Sequence, residues 1–440
     1  MLAAPLLAFA LVVAVPALIL AGRSVVYPVA LAGLPALAIG LTGSNPFPSG
    51  IVFMALTGWL LVGLAFALNE RGAAEALATA AVPLVLTATL ATVIVARLLP
   101  GPYPSTKAQL FVAQAPPLLV AGVLIARKAS VFRLYLGLTL FIAVAEALLL
   151  LRQFGGGGGN EINPGRYTVS VDFNPILSGR NAALGIVLAM FLLLVPVSAA
   201  VRLYASVSLP LVAVALLAAG SRGPILSLVI GLGVLAILLP RGADRRKRLT
   251  LLFGSGLISI YLVSRFVPAE AIQRSFSFFL GTGSGRSSNQ RTELWREAWQ
   301  LFTEHPFLGS GVGGFALRDP IYVYPHNILL ESLAELGIVG FALVGSFLAL
   351  AVSCAISVWR SSAGVDREDA ALVLALFTLA FVNAMLSDPI EAMATVWLTV
   401  GLVYGLRARA RARAAATEPE PLSAVLSGRP SRGGAGLRST

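Results

Sequence analysis

Residues 291–340 read RTELWREAWQLFTEHPFLGSGVGGFALRDPIYVYPHNILLESLAELGIVG and form the core of the longest polar interruption in an otherwise apolar chain. They contain both histidines of the protein, His305 and His326, and they lead directly into a long apolar segment. A polar interruption of this length is too long for a passive connector, since structureless loops beyond about 12–15 residues are usually functional or disordered. We therefore expect the apolar segments to form a scaffold and this stretch to carry the chemistry.

The composition around this stretch is typical of a membrane protein. Of the 440 residues, 57% are hydrophobic and 12% are charged, and the mean hydropathy is +0.86, whereas a soluble domain has about 25% charged residues. The net charge is +12, but the basic residues lie in short clusters and in the tail after Gly405, which favours membrane topology over nucleic-acid binding. One cysteine, Cys354, and two histidines are too few for an internal disulfide or a nitrogen–sulfur metal site.

The apolar segments predict an all-α polytopic membrane protein with about 12–13 transmembrane helices, each of about 20 residues. The candidate spans are 2–21, 25–42, 51–68, 76–97, 108–125, 131–151, 180–199, 203–219, 222–239, 249–267, 338–358, 370–386 and 390–406. If one early segment is re-entrant or merged with a neighbour, the number is twelve and the N-terminus changes side. No basic residue precedes Arg23, so the first segment is interpreted as a membrane helix and not as a cleaved signal peptide.

The distribution of lysine and arginine orients these spans. The basic clusters 126–133, 241–248 and 407–413 fall on one side if the spans alternate, so that side is predicted to be cytoplasmic. The predicted organisation is 1–151, N-terminal transmembrane helices; 152–179, a periplasmic loop; 180–267, central transmembrane helices; 268–337, a large periplasmic catalytic loop; 338–406, C-terminal transmembrane helices; and 407–440, a basic, disordered cytoplasmic tail. The shorter loops 43–50 and 98–107 are also predicted to face outwards.

Two helices are predicted inside the large outer loop. Residues 289–304 have helical periodicity, and the apolar side chains on one face include tryptophans suited to a membrane interface. That face is predicted to contain Leu294, Trp295, Ala298, Trp299 and Phe302. Asn327 is a predicted cap for a second helix, 328–336, with Gly337 as its stop.

Arginines at the outer ends of spans are candidate anion ligands. Arg180 opens one span in SGRNAALG, and Arg222 opens another in AGSRGPILS. Either residue alone is equally well explained as an arginine that snorkels to the headgroups. Together with Arg291 in the outer loop they favour a cationic site, because guanidinium binds phosphate bidentately and stays charged. Such a site suits a lipid-linked phosphate or diphosphate.

His326 is the best candidate for acid–base chemistry near neutral pH. It directly precedes a predicted helix, whose N-terminus would lower the pKa of the ring and keep it neutral, as a base requires. The alternative is a structural hydrogen-bonding role. His305 lacks this setting and is interpreted as a loop residue. Gly309, Gly311, Gly313 and Gly314 follow no predicted strand and no lysine accompanies them, so they are interpreted as a tight loop against the membrane surface and not as a nucleotide-binding motif.

Several carboxylates are alternative bases. They are Asp172, Asp319, Asp388 and Glu391 in outer loops, each also explicable as a solvated loop residue, and Glu146 within a span. A carboxylate inside a span is costly unless it is paired or lies near the surface.

Five motifs together resemble the O-antigen ligase and O-antigen polymerase superfamily of bacterial cell-envelope glycosyltransferases. They are FNPILSGRNAALG (173–185), SRGPILSLVIG (221–231), R-x3-W at Arg291 and Trp295, HPFLGSGVGGF (305–315) and PHNILLESLAELGIVGF (325–341). The resemblance runs from about Phe173 to Phe341, and the many-span architecture extends it over most of the chain.

The resemblance implies a GT-C-like glycosyltransferase in the bacterial inner membrane, with several spans and an active site facing the periplasm. It implies inverting transfer of a glycan from a polyprenyl (undecaprenyl) diphosphate carrier to an acceptor hydroxyl, without metal or cofactor. By the same resemblance, His326, Arg222 and Arg291 are catalytic, and Arg222, Arg291 and Arg180 bind the diphosphate. Asn327 and Asp172 are candidates for supporting roles.

The motifs are shared by enzymes with different acceptors. A ligase transfers the glycan to lipid A–core, a polymerase to a second carrier-linked glycan, and a protein O-oligosaccharyltransferase to protein; we rank the ligase first. A transporter or flippase for the lipid-linked glycan is the alternative from another class, and it predicts charged residues and half-helices near the membrane midplane. Here most charges lie at the outer boundary, Glu146 excepted, which favours an enzyme. The expected partners are the carrier-linked glycan, its acceptor and membrane lipids, with no nucleic acid.

Overall fold

The computed structural model describes residues 49–154, 166–167, 174–239, 245–276 and 286–417, together with Val26 and Val29. Over these residues the protein is built from α-helices, with one isolated β-bridge between Leu98 and Val312. The predicted fold class, an all-α polytopic membrane protein, is confirmed. The predicted span 2–21, all of 25–42 except the two valines, Asp172 and residues 418–440 lie outside the described residues.

The helices of the described residues are numbered here in chain order. They are Ser49–Leu68 (α1), Ala73–Thr79 (α2), Ala81–Ala96 (α3), Pro102–Ala126 (α4), Ala129–Phe154 (α5), Pro175–Leu194 (α6), Ala199–Ala218 (α7), Arg222–Leu238 (α8), Arg245–Phe266 (α9), Ala269–Phe276 (α10), Arg286–Glu304 (α11), Gly314–Arg318 (α12), Ile328–Ser361 (α13), Gly364–Ser387 (α14) and Ala394–Thr417 (α15). A short 3₁₀ helix, Ile390–Ala392, precedes α15.

Among the described residues, six helices are long and apolar enough to cross a membrane: α4, α5, α6, α7, α13 and α14. The bent pair α2 and α3 makes a seventh if it is one span, and apolar stretches in α1, α8 and α9 are shorter. These helices support a multi-pass membrane protein. The figure of 12–13 spans stays a prediction, because it also counts the shorter helices and the first two segments.

The predicted single span at 76–97 is wrong in one respect. The chain bends by 72° between α2 and α3, at Ala80. Pro83 lies in the first turn of α3, where its missing N–H costs no helical hydrogen bond. A new helix can therefore begin after Ala80 without the loss of a helical hydrogen bond. A hydropathy pattern does not reveal such a bend.

Among the described residues, glycines allow an extensive contact between α4 and α15. A Cβ at Gly122 would overlap the backbone of α15, and a Cβ at Gly401 would overlap the backbone of α4. Small residues of this kind allow membrane helices to approach closely. Beside them, the fully buried Trp397 packs against Phe111 and Phe347, with ring centroids 5.4 and 4.7 Å away. This core joins the N-terminal helices to α13 and α15.

The amphipathic helix of the outer loop is confirmed as α11, which ends at Glu304, just before His305 and Pro306. Its buried face differs from the predicted one. Leu294, Ala298 and Leu301 are buried with residues of α12 and α13, whereas Trp299 is 52% exposed. Leu301 takes the place predicted for Trp299 on the buried face. That face packs against protein, at the start of α13, and not only against a membrane surface.

Asn327 caps α13, accepting hydrogen bonds from the backbone N–H groups of Leu329 and Leu330 at 3.1 Å each. Gly337 has φ 67° and ψ −160°, which breaks the helix between residues 328–336 and the long apolar part that follows. Both the predicted cap and the predicted stop are confirmed. His326 is thereby held at a fixed helix start.

The glycine-rich segment 309–314 forms the predicted tight loop, and it packs against this break in α13. Its contact with the membrane surface stays a prediction. A Cβ at Gly309 would overlap the backbone of Glu335, and the N–H of Gly311 donates to the Glu335 carbonyl at 2.9 Å. The N–H of Val312 donates to the carbonyl of Arg97 at 2.9 Å. The loop therefore ties α13 to the end of α3.

Candidate active site

Four arginines gather near the start of α8. Arg222 is the first residue of α8 and Arg291 lies on α11; Arg274, near the end of α10, and Arg166 join them. Burial, followed by repulsion from Arg274, Arg222 and Arg291, lowers the pKa of Arg166 to about 10. Burial and then Arg222 also lower the pKa of Arg291 and of Arg274. The cluster is thus a partly desolvated concentration of positive charge.

Local structure explains how distant residues meet there. Gly220, with φ 57°, makes the tight turn between α7 and α8. The carbonyls at the end of α7 then receive outside donors: the hydroxyl of Ser275 donates to Leu217 at 3.2 Å, and the N–H of Tyr167 donates to Ala218 at 2.9 Å. Because Arg274 and Arg166 adjoin these two donors, the α7 end brings both arginines to Arg222. The Nε of Arg222 also donates to the Arg274 carbonyl at 3.2 Å.

None of the ion pairs found among the described residues involves Arg166, Arg222 or Arg291. Elsewhere in the same part of the chain, buried arginines such as Arg409 are paired with carboxylates. Arginines clustered in this way can bind an anion, since phosphate oxygens accept hydrogen bonds from guanidinium and carry the opposite charge.

His326 lies beside this cluster in an unusual backbone conformation, with φ 56°. Its ring packs edge-on against Tyr324, with centroids 4.3 Å apart, and Nδ1 is buried without a hydrogen-bond partner among the described residues. Burial lowers its pKa, a hydrogen bond to the backbone of Ser387 raises it, and Arg291 and Arg180 lower it further. The direction agrees with the expectation of a neutral ring; burial is its largest cause, and the two arginines add to it.

Arg180 has a different setting from the one predicted. The helix α6 begins at Pro175, capped by Asn174, so Arg180 lies in its second turn and does not open it. Its guanidinium forms an ion pair with Asp388. Burial raises the pKa of Asp388, and Arg180 opposes that rise. Arg180 acts electrostatically on His326, but it is not among the charges that shift the pKa of Arg166.

The other predicted candidates have local explanations. The carboxylate of Asp319 accepts the backbone N–H groups of the next turn at 2.9 Å. Glu146 accepts hydrogen bonds from the Asn181 amide at 3.0 Å, which supplies the partner that a carboxylate in a span requires. His305 is exposed beyond the end of α11. Among the described residues, no group of three or more His, Cys, Asp or Glu could hold a metal ion.

Comparison with known proteins relates the part of the chain that contains this site to a known family. Residues 206–345 match the family model described as O-antigen ligase. The match includes Arg222, Arg274, Arg291 and His326. This part of the chain is therefore similar to the O-antigen ligase family. This confirms the resemblance to the O-antigen ligase and polymerase superfamily that the sequence motifs indicated.

An O-antigen ligase of Pseudomonas aeruginosa is 31% identical to the chain over 138 residues. The aligned region is 28% of this chain and 31% of that protein, so the chain spans about a third of the length of the curated relative it matches. The likeness thus concerns part of each protein and not its whole length.

Sequence analysis missed Arg166 and Arg274. Both lie in predicted outer loops, but so do Arg286, Arg296 and Arg318. No local sequence pattern distinguishes the two arginines of the cluster from these three. Only the packing of α10 and of residues 166–167 against the end of α7 separates the two from the rest.

Proposed function

We propose that this protein is a ligase-type glycosyltransferase. In this proposal it transfers an oligosaccharide or polysaccharide from an undecaprenyl diphosphate carrier to an acceptor hydroxyl at the periplasmic face of the bacterial inner membrane. The observation that carries the proposal is the cluster of Arg166, Arg222, Arg274 and Arg291 next to a histidine whose pKa is lowered. The O-antigen ligase family match over three of these arginines and the histidine supports a glycan-processing, glycosyltransferase-type enzyme.

The arginine cluster would bind the donor. The two negative charges of a diphosphate diester would offset the mutual repulsion that lowers the pKa of Arg166. Bidentate guanidinium contacts fix phosphate orientation and strengthen in a partly desolvated site. As the bond from the anomeric carbon to the diphosphate breaks, its electron pair passes to the diphosphate. The arginines stabilise that leaving group, so the proposed mechanism needs no metal ion.

His326 would activate the acceptor. Its lowered pKa keeps the ring neutral near pH 7, and the hydrogen bond to Ser387 orients it. The acceptor oxygen attacks the anomeric carbon from the face opposite the diphosphate, and His326 takes the hydroxyl proton. The carbon–oxygen bond that forms has the opposite anomeric configuration, so the transfer is inverting. General base catalysis typically contributes about 10²–10⁴ in rate.

Reconstitution with competing acceptors tests this proposal. The full-length protein in liposomes would receive an undecaprenyl-diphosphate oligosaccharide together with lipid A–core and a second carrier-linked unit. We expect glycosylated lipid A–core, and none with His326→Ala present at the same level in the membrane. Longer carrier-linked chains without glycosylated lipid A–core would show a polymerase instead. Movement of intact donor across the membrane without a new glycosidic bond would show a transporter and refute the enzyme.

A further inference from the structure

A fully buried lysine, Lys107, lies behind the segment that carries His326. Its ammonium forms ion pairs with Glu331 and, at 2.7 Å, with Glu335, both on the short first part of α13. All three side chains are at most 3% exposed. Buried charges of this kind are costly unless they are paired and hydrogen-bonded. The contact therefore fixes α4 against the helix that begins directly after His326.

Glu331 continues this connection to a second element of the site. Its Oε2 accepts the backbone N–H of Ile390 at 3.0 Å, in the turn after α14. Ser387, at the end of α14, accepts a hydrogen bond from the Tyr324 hydroxyl at 3.3 Å, and its backbone also bonds to His326. One carboxylate thus links Lys107 to the turn that holds the His326 ring.

The same face of α4 reaches the other side of His326. Tyr103, one helical turn before Lys107, donates to the carbonyl of Val323 at 3.2 Å. Residues four apart lie on one helix face, so a single face of α4 braces positions 323 and 331, on either side of the histidine. The helix α4 lies outside the region that matches the O-antigen ligase family.

We propose that Lys107 is a positioning residue for glycan transfer. Through Glu331 and the turn 387–391 it holds His326 in place without touching the substrate; this inference rests on the proposed function. The two glutamates differ in this respect. Oε2 of Glu335 contacts Lys107, whereas its Oε1 has no hydrogen-bond partner among the described residues. Glu331 therefore carries the connection, and Glu335 contributes charge balance.

Steady-state transfer at several pH values tests the proposal in the full-length, reconstituted protein. We expect Lys107→Met and Glu331→Gln to lower kcat at least about tenfold, because small displacements of catalytic groups are that costly. The KM for the donor should change less than about twofold, since the arginine cluster is intact. Loss of the Ser387 hydrogen bond should move the acid limb of kcat to lower pH, because that bond raises the pKa of His326. The charged and titratable groups facing His326, namely Arg180, Arg291, Tyr322 and Tyr324, are unaltered.

Two matched variants complete the test. Glu335→Gln should keep the wild-type acid limb, and so should Lys128→Met, which removes a half-exposed ammonium paired with Glu70 beyond the end of α4. If kcat in Lys107→Met and Glu331→Gln falls only in proportion to folded protein, with an unmoved acid limb, Lys107 is merely structural and the proposal is wrong. If Lys107→Met does not accumulate, Glu331→Gln tests the same connection. Undiminished transfer by His326→Ala is a separate outcome, which refutes the proposed function itself.

Discussion

The lowered pKa of His326 is the residue property on which the proposed chemistry depends. Burial has the largest effect, and the positive charges of Arg291 and Arg180 add to it. A base must be unprotonated to act, so each of these effects extends the pH range in which the ring is competent. Arg291, a member of the proposed donor-binding cluster, therefore also tunes the proposed base.

The first prediction is a pH profile. Transfer should increase as His326 loses its proton and become level above its pKa, with the midpoint below the usual value of about 6.5. Measuring kcat/KM against pH in the reconstituted protein checks this. A rate that is highest at low pH and falls through that midpoint would contradict the role of His326 as a base.

The second prediction concerns guanidinium geometry. Arg222→Lys keeps the charge but loses bidentate binding, so kcat/KM should fall by roughly 10- to 100-fold, which corresponds to about 1.4–2.8 kcal/mol. Arg318→Lys is the matched control, because Arg318 forms a solvent-exposed pair with Glu304 and such pairs contribute little. Equal activity of the two variants would argue that Arg222 snorkels and does not bind the donor.

At the scale of elements, the break in α13 sets the direction in which His326 is presented. Gly337 has φ 67°, and a Cβ there would overlap the backbone of Phe307. The N–H of Ile338 donates to the Pro306 carbonyl at 2.9 Å, so the segment just before the glycine-rich loop is attached at the break itself. Because of the break, the short capped part of α13, residues 328–336, need not be collinear with the apolar part that follows.

The third prediction follows from this close contact. Gly337→Ala should lower the free energy of unfolding by roughly 1–3 kcal/mol, the cost of a strained backbone, and should reduce transfer. The control is Gly345→Ala in the same helix, where a Cβ meets open space and alanine favours the helix. Thermal unfolding in detergent compares them, and equal melting temperatures would show that the break is not required.

At the scale of the whole molecule, the family domain depends on helices outside it. The residues 206–345 include Arg222, Arg274, Arg291 and His326. The helices α4 and α15, both outside this region, pack through Gly122 and Gly401 beside the core formed around Trp397. This packing holds α4 where Lys107 and Tyr103 can brace the site. The domain is therefore expected to require the N-terminal helices for activity.

The fourth prediction tests that dependence. Gly401→Leu forces a side chain into the backbone of α4. It should destabilise the protein by about 3 kcal/mol, at the upper end of the cost of overpacking. It should also reduce transfer, although it lies far along the chain from His326. Gly58→Leu, at a position facing open space, should change neither. Wild-type stability of Gly401→Leu would refute the contact.

Local signals allowed some of this organisation to be predicted. Asn327 and Gly337 were predictable because capping and helix termination depend on neighbouring residues. The arginine cluster was only partly predictable, because Arg166 and Arg274 join it through the packing of α7 and α10. The sequence predicts Lys107 in the outer loop 98–107, because a charge normally ends an apolar segment. Its neutralising carboxylates lie 224 and 228 residues away, which no local pattern reveals, and the ion pair of Arg180 with Asp388 is equally remote in sequence.

The most direct test separates donor binding from chemistry. Binding of an undecaprenyl-diphosphate oligosaccharide and its transfer to lipid A–core would be measured side by side for the wild type, His326→Ala and Arg222→Ala, each quantified as folded protein. We predict that His326→Ala binds the donor as the wild type does but does not transfer it, whereas Arg222→Ala binds it at least about tenfold more weakly. Undiminished transfer by His326→Ala, or undiminished donor binding by Arg222→Ala, would contradict the account.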